Sequence, residues 1–243
     1  MDEAQSSLET PPPFVAFRAR PEDRQKTIVI TGAPRGGTTL GGSIVANLGV
    51  PFSGTEELEP HVGRRYSHYG LNSRVRTDPA KFIEICRDID RQHDVWAIKN
   101  ADFIHYLAPI GERLRNPHYV MVFKEPLSVA MRSRMVRGKP MDSLSVAGST
   151  KTILKAYADA LDFCVGSDTP ALLISYDRAM RDMERTIKGV ADFLGIPAYD
   201  ATSMSQDVTA DRDSYFEEST LQALSRSSDW RRRLISRILR RLR

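Results

Sequence analysis

Residues 27–40 read Thr27-Ile28-Val29-Ile30-Thr31-Gly32-Ala33-Pro34-Arg35-Gly36-Gly37-Thr38-Thr39-Leu40. The first four form a short β-branched apolar run, the pattern of a strand buried on both faces. The run breaks at the glycine- and proline-containing stretch, and a helix is predicted from Thr38 to about Leu48, stopped by Gly49. Strand, glycine loop and helix in that order suit a bound anion. Glycines let the backbone turn tightly and aim N–H groups at one point, and the helix N-terminus adds a favourable dipole. Pro34, Arg35, Gly36, Gly37, Thr38, Thr39 and Leu40 are therefore the candidate anion-binding residues. A plain turn needs neither the Arg35 charge nor two adjacent hydroxyls.

Outward from this stretch, strands and helices alternate. A helical pattern follows Asp78-Pro79, carried by Phe82, Ile83, Ile85, Cys86 and Ile89. Val95-Trp96-Ala97-Ile98 reads as a strand ending in Lys99, and a helix is predicted from about Asp102 to Leu114. The strand from Tyr119 to Phe123 runs into Lys124-Glu125-Pro126 and a helix through Arg134. A long helical pattern over 144–165, the apolar run Ala171-Leu172-Leu173-Ile174 and a helix from Asp177 to Leu194, stopped by Gly195, complete the series. This alternation predicts an α/β, three-layer P-loop-type fold with a mostly parallel central sheet flanked by helices. The predicted organisation is a flexible leader over 1–25, one α/β domain over 26–228 and a basic amphipathic helix over 229–243.

The chain has 243 residues, 41% hydrophobic and 27% charged, the balance of an ordinary globular domain. Its 35 Lys and Arg against 31 Asp and Glu give a net charge of +4, too little to argue for nucleic acid. No zinc spacing or recognition-helix pattern argues for it either. The charge is uneven. Trp230 to Arg243 hold seven arginines and no acid, so removing that tail's charge leaves residues 1–229 at −3. In the tail, Leu234, Ile235, Ile238, Leu239 and Leu242 fall along one helical stripe opposite the arginines, a composition suited to an anionic membrane surface. Cys86 and Cys164 have no metal or disulfide spacing and read as buried small hydrophobes. The N-terminus has neither the basic nor the apolar region of a secretory signal, and no stretch approaches the length of a membrane span. The expectation is a cytoplasmic protein, peripheral on a membrane if the tail binds one.

The kind of anion can be narrowed. The Walker spacing GxxxxGK[ST] fits Gly32 and Gly37, but its lysine position is Thr38. The strand over 119–123 is followed by Lys124 rather than a magnesium-holding aspartate. The dinucleotide pattern GxGxxG also fails. The loop therefore suits a single phosphate or a phosphosulfate, with Arg35 supplying charge.

Here the sequence resembles the P-loop sulfotransferase family, which uses 3′-phosphoadenosine 5′-phosphosulfate (PAPS). Thr31 to Leu40 is similar to the family's TGxPRSGTTLL, with Gly36 in place of the serine. Val122-Phe123-Lys124-Glu125-Pro126-Leu127-Ser128-Val129-Ala130 is similar to V-x-R-D-P-x-x-x-A. Leu173-Ile174-Ser175-Tyr176-Asp177 and then Phe193-Leu194-Gly195-Ile196-Pro197 resemble YEdL…FLGlP. The resemblance spans about residues 26 to 198.

It implies PAPS as co-substrate, no required metal, and release of 3′,5′-ADP. It also implies that the residue at Lys124 and one eight positions later hold the 3′-phosphate. That later position is Arg132, with Ser133 beside it, so Lys124, Arg132 and Ser133 are the candidates. Lys124 keeps the charge of the family's arginine but not its bidentate fork. Lys99, at the end of its strand, matches a lysine of many bacterial members and joins Arg35 as a candidate catalytic cation. The family's glutamate in the loop after the first helix maps to Glu56, Glu57 or Glu59, with Glu57 favoured as general base. His61, His68 and His105 are alternatives. A carbohydrate, glycolipid or other small acceptor is expected, and the segment from Gly54 to Thr77, with Arg64, Arg65, Tyr66 and Tyr69, is its candidate site. The competing readings are a P-loop kinase of a small molecule or nucleotide, and a non-catalytic nucleotide-binding or membrane-recruitment protein.

Overall fold

A computed structural model describes residues 11–52, 74–75, 77–197 and 199–210. Its elements are β1 (Phe14–Phe17), β2 (Lys26–Gly32), α1 (Thr38–Asn47), α2 (Pro79–Gln92), β3 (Val95–Lys99), a 3-10 turn (Ala101–His105) and α3 (Leu107–Gly111). Then come β4 (Pro117–Phe123), α4 (Pro126–Val136), α5 (Ser143–Gly166), β5 (Ala171–Ser175), the one-turn α6 (Tyr176–Ala179) and α7 (Met183–Leu194).

The strands form one five-stranded sheet in the order β1-β5-β4-β2-β3. All neighbours pair in parallel except β1, which runs antiparallel to β5. The period of two sorts the strand side chains between two cores. Val29, Trp96, Ile98, Tyr119 and Met121 face one side with residues of α2 and α5. Ile28, Ile30, Val120, Val122 and Ile174 face the other with α1 and α7. Both faces are covered, which is why the strands read as continuous apolar runs. The expected fold class is the observed one.

Three local features differ from the sequence reading. Within the expected leader, Phe14–Phe17 is β1, with Phe14 opposite Ile174 and Phe17 opposite Ala171. The Ser175 N–H donates to Pro13 O at 2.8 Å, and Arg18 donates to the carbonyls of Cys164 and Val165. Phe14 packs on α7 at Gly189, where a Cβ would come within 2.1 Å of its ring. A four-residue edge strand after three prolines carries little periodicity, and an edge position tolerates them. The helix expected from Asp102 to Leu114 is instead the 3-10 turn followed by α3. In one continuous helix the Pro109 ring would strike the carbonyl of His105, so the helix restarts at Leu107 and takes Pro109 into its first turn. The helix expected over 177–194 breaks because Asp182 caps α7, accepting from the Arg185 N–H at 3.3 Å.

Other ends follow the sequence. Asp78 caps α2 by accepting from the Lys81 N–H, with Pro79 in the first turn. Gly49 and Gly195 end α1 and α7 at φ +82° and +68°. Cys86 and Cys164 are both buried, and burial pushes their thiols up to about 12 and about 11, so neither is a ready nucleophile.

A candidate anion-binding site

The loop lies at the C-terminal edge of the sheet, between β2 and α1. Its turn is built from positive dihedrals: Gly32 at φ +155°, Arg35 at +70° and Gly37 at +93°. Arg35 is one of three non-glycine residues with positive φ among those described, and the other two lie elsewhere. A backbone held there in a non-glycine residue marks a loop fixed by its surroundings. The surroundings are close. A Cβ at Gly32 would lie 2.4 Å from Val122 O, and one at Gly37 would lie 2.3 Å from the Tyr176 ring.

Gly37 is the N-cap of α1 and offers no side-chain acceptor. Helix geometry leaves the N–H groups of Thr38 and Thr39 without intrahelical partners, directed out of the helix start. Thr38 is buried and Thr39 half-buried. Leu40 plays another part: its N–H donates to Gly37 O at 2.9 Å and its side chain joins the α1-side core. The Gly36 N–H similarly closes the loop on Ala33 O at 2.7 Å. Pro34 and Arg35 are half-exposed.

Lys124 follows β4 and arrives at the loop. Its Nζ lies 4.2 Å from the centroid of the Tyr176 ring that covers Gly37. Its N–H donates to Tyr157 Oη at 3.1 Å, and Tyr157 stacks on Phe123 with ring centroids 4.2 Å apart. Burial raises the Tyr157 pKa, partly opposed by the Lys124 N–H it accepts, so this hydroxyl stays protonated. Glu125, at the acid position of the family-like segment, caps α4 by accepting from the Leu127 and Ser128 N–H groups. Those hydrogen bonds, led by Ser128, lower its pKa. The Glu125 N–H in turn donates to Asp177 Oδ2 at 3.3 Å. Tyr157 is thus a part of the site's frame outside every motif, and Tyr176 and Asp177 stand in the third family-like segment, which gave them no role.

Beside the loop is a cleft of about 300 Å³, lined among others by Pro34, Asp102, His105, Ser133, Arg137 and Ser149. The structure brings Pro34 and Ser133 together there, with His105, the one alternative base among the described residues. Arg132 is half-buried on α4 and does not line the cleft. Lys99 pairs in register with Ile30, the residue before Thr31, and is only 3% exposed, so it is not a solvated rim lysine. Glu56, Glu57, Glu59, His61, His68, the acceptor segment apart from Arg74, Val75 and Thr77, and the basic tail lie outside the described residues. Among the described residues, no group of three or more His, Cys, Asp or Glu is placed to hold a metal ion.

Sheet order, loop and helix together define a P-loop-type α/β fold. No protein-family model matches the chain, and no curated protein matches it. Among solved structures it is similar to the sulfotransferase domain from the Synechococcus PCC 7002 olefin synthase. The TM-score is 0.52 at 19% identity, covering 74% of this chain and 76% of that one. It also matches shikimate kinase from Bacteroides thetaiotaomicron, with a TM-score of 0.39 at 16% identity over 70% of this chain and 98% of that one. At 19% identity the likeness to the sulfotransferase domain shows the fold alone.

Proposed function

We propose that the protein is a sulfotransferase. It moves a sulfuryl group from PAPS to a hydroxyl or amine of a carbohydrate, glycolipid or other small acceptor, releasing 3′,5′-ADP. The observation that carries this reading is the source of positive charge at the loop. Thr38 stands where a nucleoside-triphosphate loop has its lysine, and the cation held over the loop is Lys124, from the next strand. The acid beside it, Glu125, is occupied in capping α4. That arrangement suits a compact phosphosulfate better than a magnesium triphosphate.

The residues fit the co-substrate. A closely packed glycine loop with outward N–H groups matches a 5′-phosphosulfate, and a cleft of about 300 Å³ is within the range of small-molecule sites. PAPS supplies the activated sulfuryl group. The chain's part is to hold and neutralise. The N–H groups of Thr38 and Thr39, their hydroxyls and Arg35 bind the 5′ end with Lys124 beside them, while Arg132 and Ser133 take the 3′-phosphate. Arg35 and Lys99 stabilise charge growing on the departing phosphate, so the reading calls for no metal.

The acceptor proton goes to a base. His105 is the candidate at the cleft, and Glu57 is the candidate from the family resemblance. Sulfate transfer from labelled PAPS by His105→Gln and Glu57→Gln tells them apart: the true base, once replaced, lowers turnover while 3′,5′-ADP still binds. The basic tail is proposed to hold the protein at an anionic membrane.

Calorimetry tests the proposal. Wild type is expected to bind 3′,5′-ADP and Arg35→Ala to lose it. Tight binding of ATP with magnesium, without 3′,5′-ADP binding, would favour a kinase and sink this reading. Binding of 3′,5′-ADP with no transfer to any acceptor would leave a non-catalytic nucleotide-binding protein.

A further inference from the structure

Among the described residues, eight of the nine exposed large hydrophobics lie on the hairpin of α4 and α5, the exception being Val15. Leu127, Met131 and Met135 recur every four residues along one face of α4, between 45% and 50% exposed. Met141 in the connection and Leu144, 86% exposed at the start of α5, extend the patch. Isolated surface apolar residues are ordinary, but a concentration on one supersecondary unit marks an interaction face. Unbranched methionines adapt to an irregular partner.

The charges around the patch select the partner. Residues 126–151 carry Arg132, Arg134, Arg137, Lys139 and Lys151 against the single acid Asp142, while Lys155 pairs with Asp159. Arg134 is held inside the hairpin by Pro140 O, Ser145 O and Ser149 Oγ, whereas Arg137, Lys139 and Lys151 are exposed. An apolar stripe among cations complements a surface with anionic headgroups above acyl chains. It repels the chain's own tail, with seven arginines and no acid from Trp230 to Arg243. A second copy docked by the same face would set the two cationic hairpins against each other. Among the described residues no helix is long and apolar enough to cross a membrane, so the contact is superficial.

We propose that the α4–α5 hairpin is a membrane-docking face that seats Leu127, Met131, Met135, Met141 and Leu144 in an anionic lipid surface. It is separate from the basic tail. Ala130 and Ser133 of α4, with Arg137 at its C-cap, line the cleft beside the loop, so the helix that docks is also a wall of the cleft. On the sulfotransferase reading, which this last step rests on, the acceptor is then an amphiphile that stays in the bilayer.

Flotation of the full chain tests the docking without reference to enzymatic activity. Wild type is expected to float with phosphatidylserine–phosphatidylcholine vesicles, to float far less with phosphatidylcholine alone, and to detach as salt rises. The double substitution Met131→Asp and Met135→Asp is expected to weaken flotation about tenfold or more, with its melting temperature kept because both side chains are exposed. Lys139→Gln with Lys151→Gln should lower affinity and flatten the salt dependence. Arg231→Gln, Arg232→Gln and Arg233→Gln together should leave a share of binding that the methionine substitutions remove. Wild-type flotation of the methionine variant overturns the proposal. So does a wild-type dimer in sedimentation that the same variant dissociates while vesicle binding is unchanged.

Discussion

The ammonium of Lys124 stands 4.2 Å from the ring centroid of Tyr176. That ring also closes on Gly37, at a distance that leaves no room for a Cβ. A cation from the end of β4, an aromatic ring from the start of α6 and the N-cap of α1 therefore meet at one place. Tyr176 thus touches both the lysine ammonium and the glycine turn.

Tyr176→Leu should separate these roles from simple loop formation. The loss of a cation–π contact of about 1 kcal/mol, together with a less well placed lysine, predicts 3′,5′-ADP binding weaker by several-fold to tenfold. Tyr176→Phe keeps the ring and should bind like wild type. Equal affinity in the leucine variant, measured by calorimetry, would mean that the ring does not position Lys124.

The family-like serine at position 36 should harm this loop. A Cβ at Gly36 would lie 2.7 Å from Ala33 O, within the loop's own turn, and 3.3 Å from Tyr157 Oη. Gly36→Ser is thus expected to force the backbone aside, at about 1–3 kcal/mol, and to weaken 3′,5′-ADP binding despite the added hydroxyl. Tyr157→Phe should not rescue it, since the closer obstacle is Ala33 O. Urea unfolding together with calorimetry checks both statements, and a tighter-binding serine variant contradicts them.

How much of this was legible depends on what each feature rests on. The strands over 27–30, 95–98, 119–123 and 171–174 were readable because burial on both faces writes an unbroken apolar run. Helix ends were readable where one residue sets the backbone, as at Gly49, Gly195 and Asp78-Pro79. β1 was not, because Phe14–Phe17 becomes a strand only by pairing with β5, far along the chain. The anion loop is local and could be read outright. The frame around it is not local: Tyr176 and Asp177 reach Gly37, Lys124 and Glu125 because the sheet sets β5 beside β4, and Tyr157 reaches Lys124 because α5 packs on the sheet. No period or motif spacing encodes that adjacency.

Neighbouring residues of α4 should behave differently under substitution. Ser133 lines the cleft with Pro34, so Ser133→Val should weaken 3′,5′-ADP binding about tenfold or less and leave 5′-AMP binding alone, since only the former has a 3′-phosphate. Arg134 instead donates to Pro140 O, Ser145 O and Ser149 Oγ. Arg134→Met should cost about 1–3 kcal/mol in urea unfolding with little change in nucleotide affinity of the folded protein. An equal loss of 5′-AMP binding in Ser133→Val would remove that residue from the 3′-phosphate site.

At the opposite edge of the sheet, His118 predicts an acid-sensitive fold. Its ring is fully buried, with Nδ1 at 3.0 Å from Asn116 O and Nε2 at 3.3 Å from Arg20 O. Asp23 Oδ2 lies 3.6 Å from Nε2, and nearby Lys26 donates to Leu194 O and Pro21 O. Burial lowers the His118 pKa from 6.5 and Lys26 adds to the effect, while the two carbonyls and Asp23 oppose it. Between the lowered folded pKa and 6.5, the unfolded chain binds the proton more readily. This contribution to stability is therefore full above 6.5 and lost as pH falls towards the folded value, with a slope of at most about 1.4 kcal/mol per pH unit. Carboxylates add their own acid sensitivity, so the informative quantity is the difference from a variant without the imidazole. His118→Leu should be less stable at neutral pH, where it removes the one hydrogen bond a neutral imidazole donates to these carbonyls, but should lose less further stability on acidification. Urea unfolding of both proteins across this range measures the two slopes, and parallel slopes would show that His118 keeps the same proton in the folded and unfolded chain.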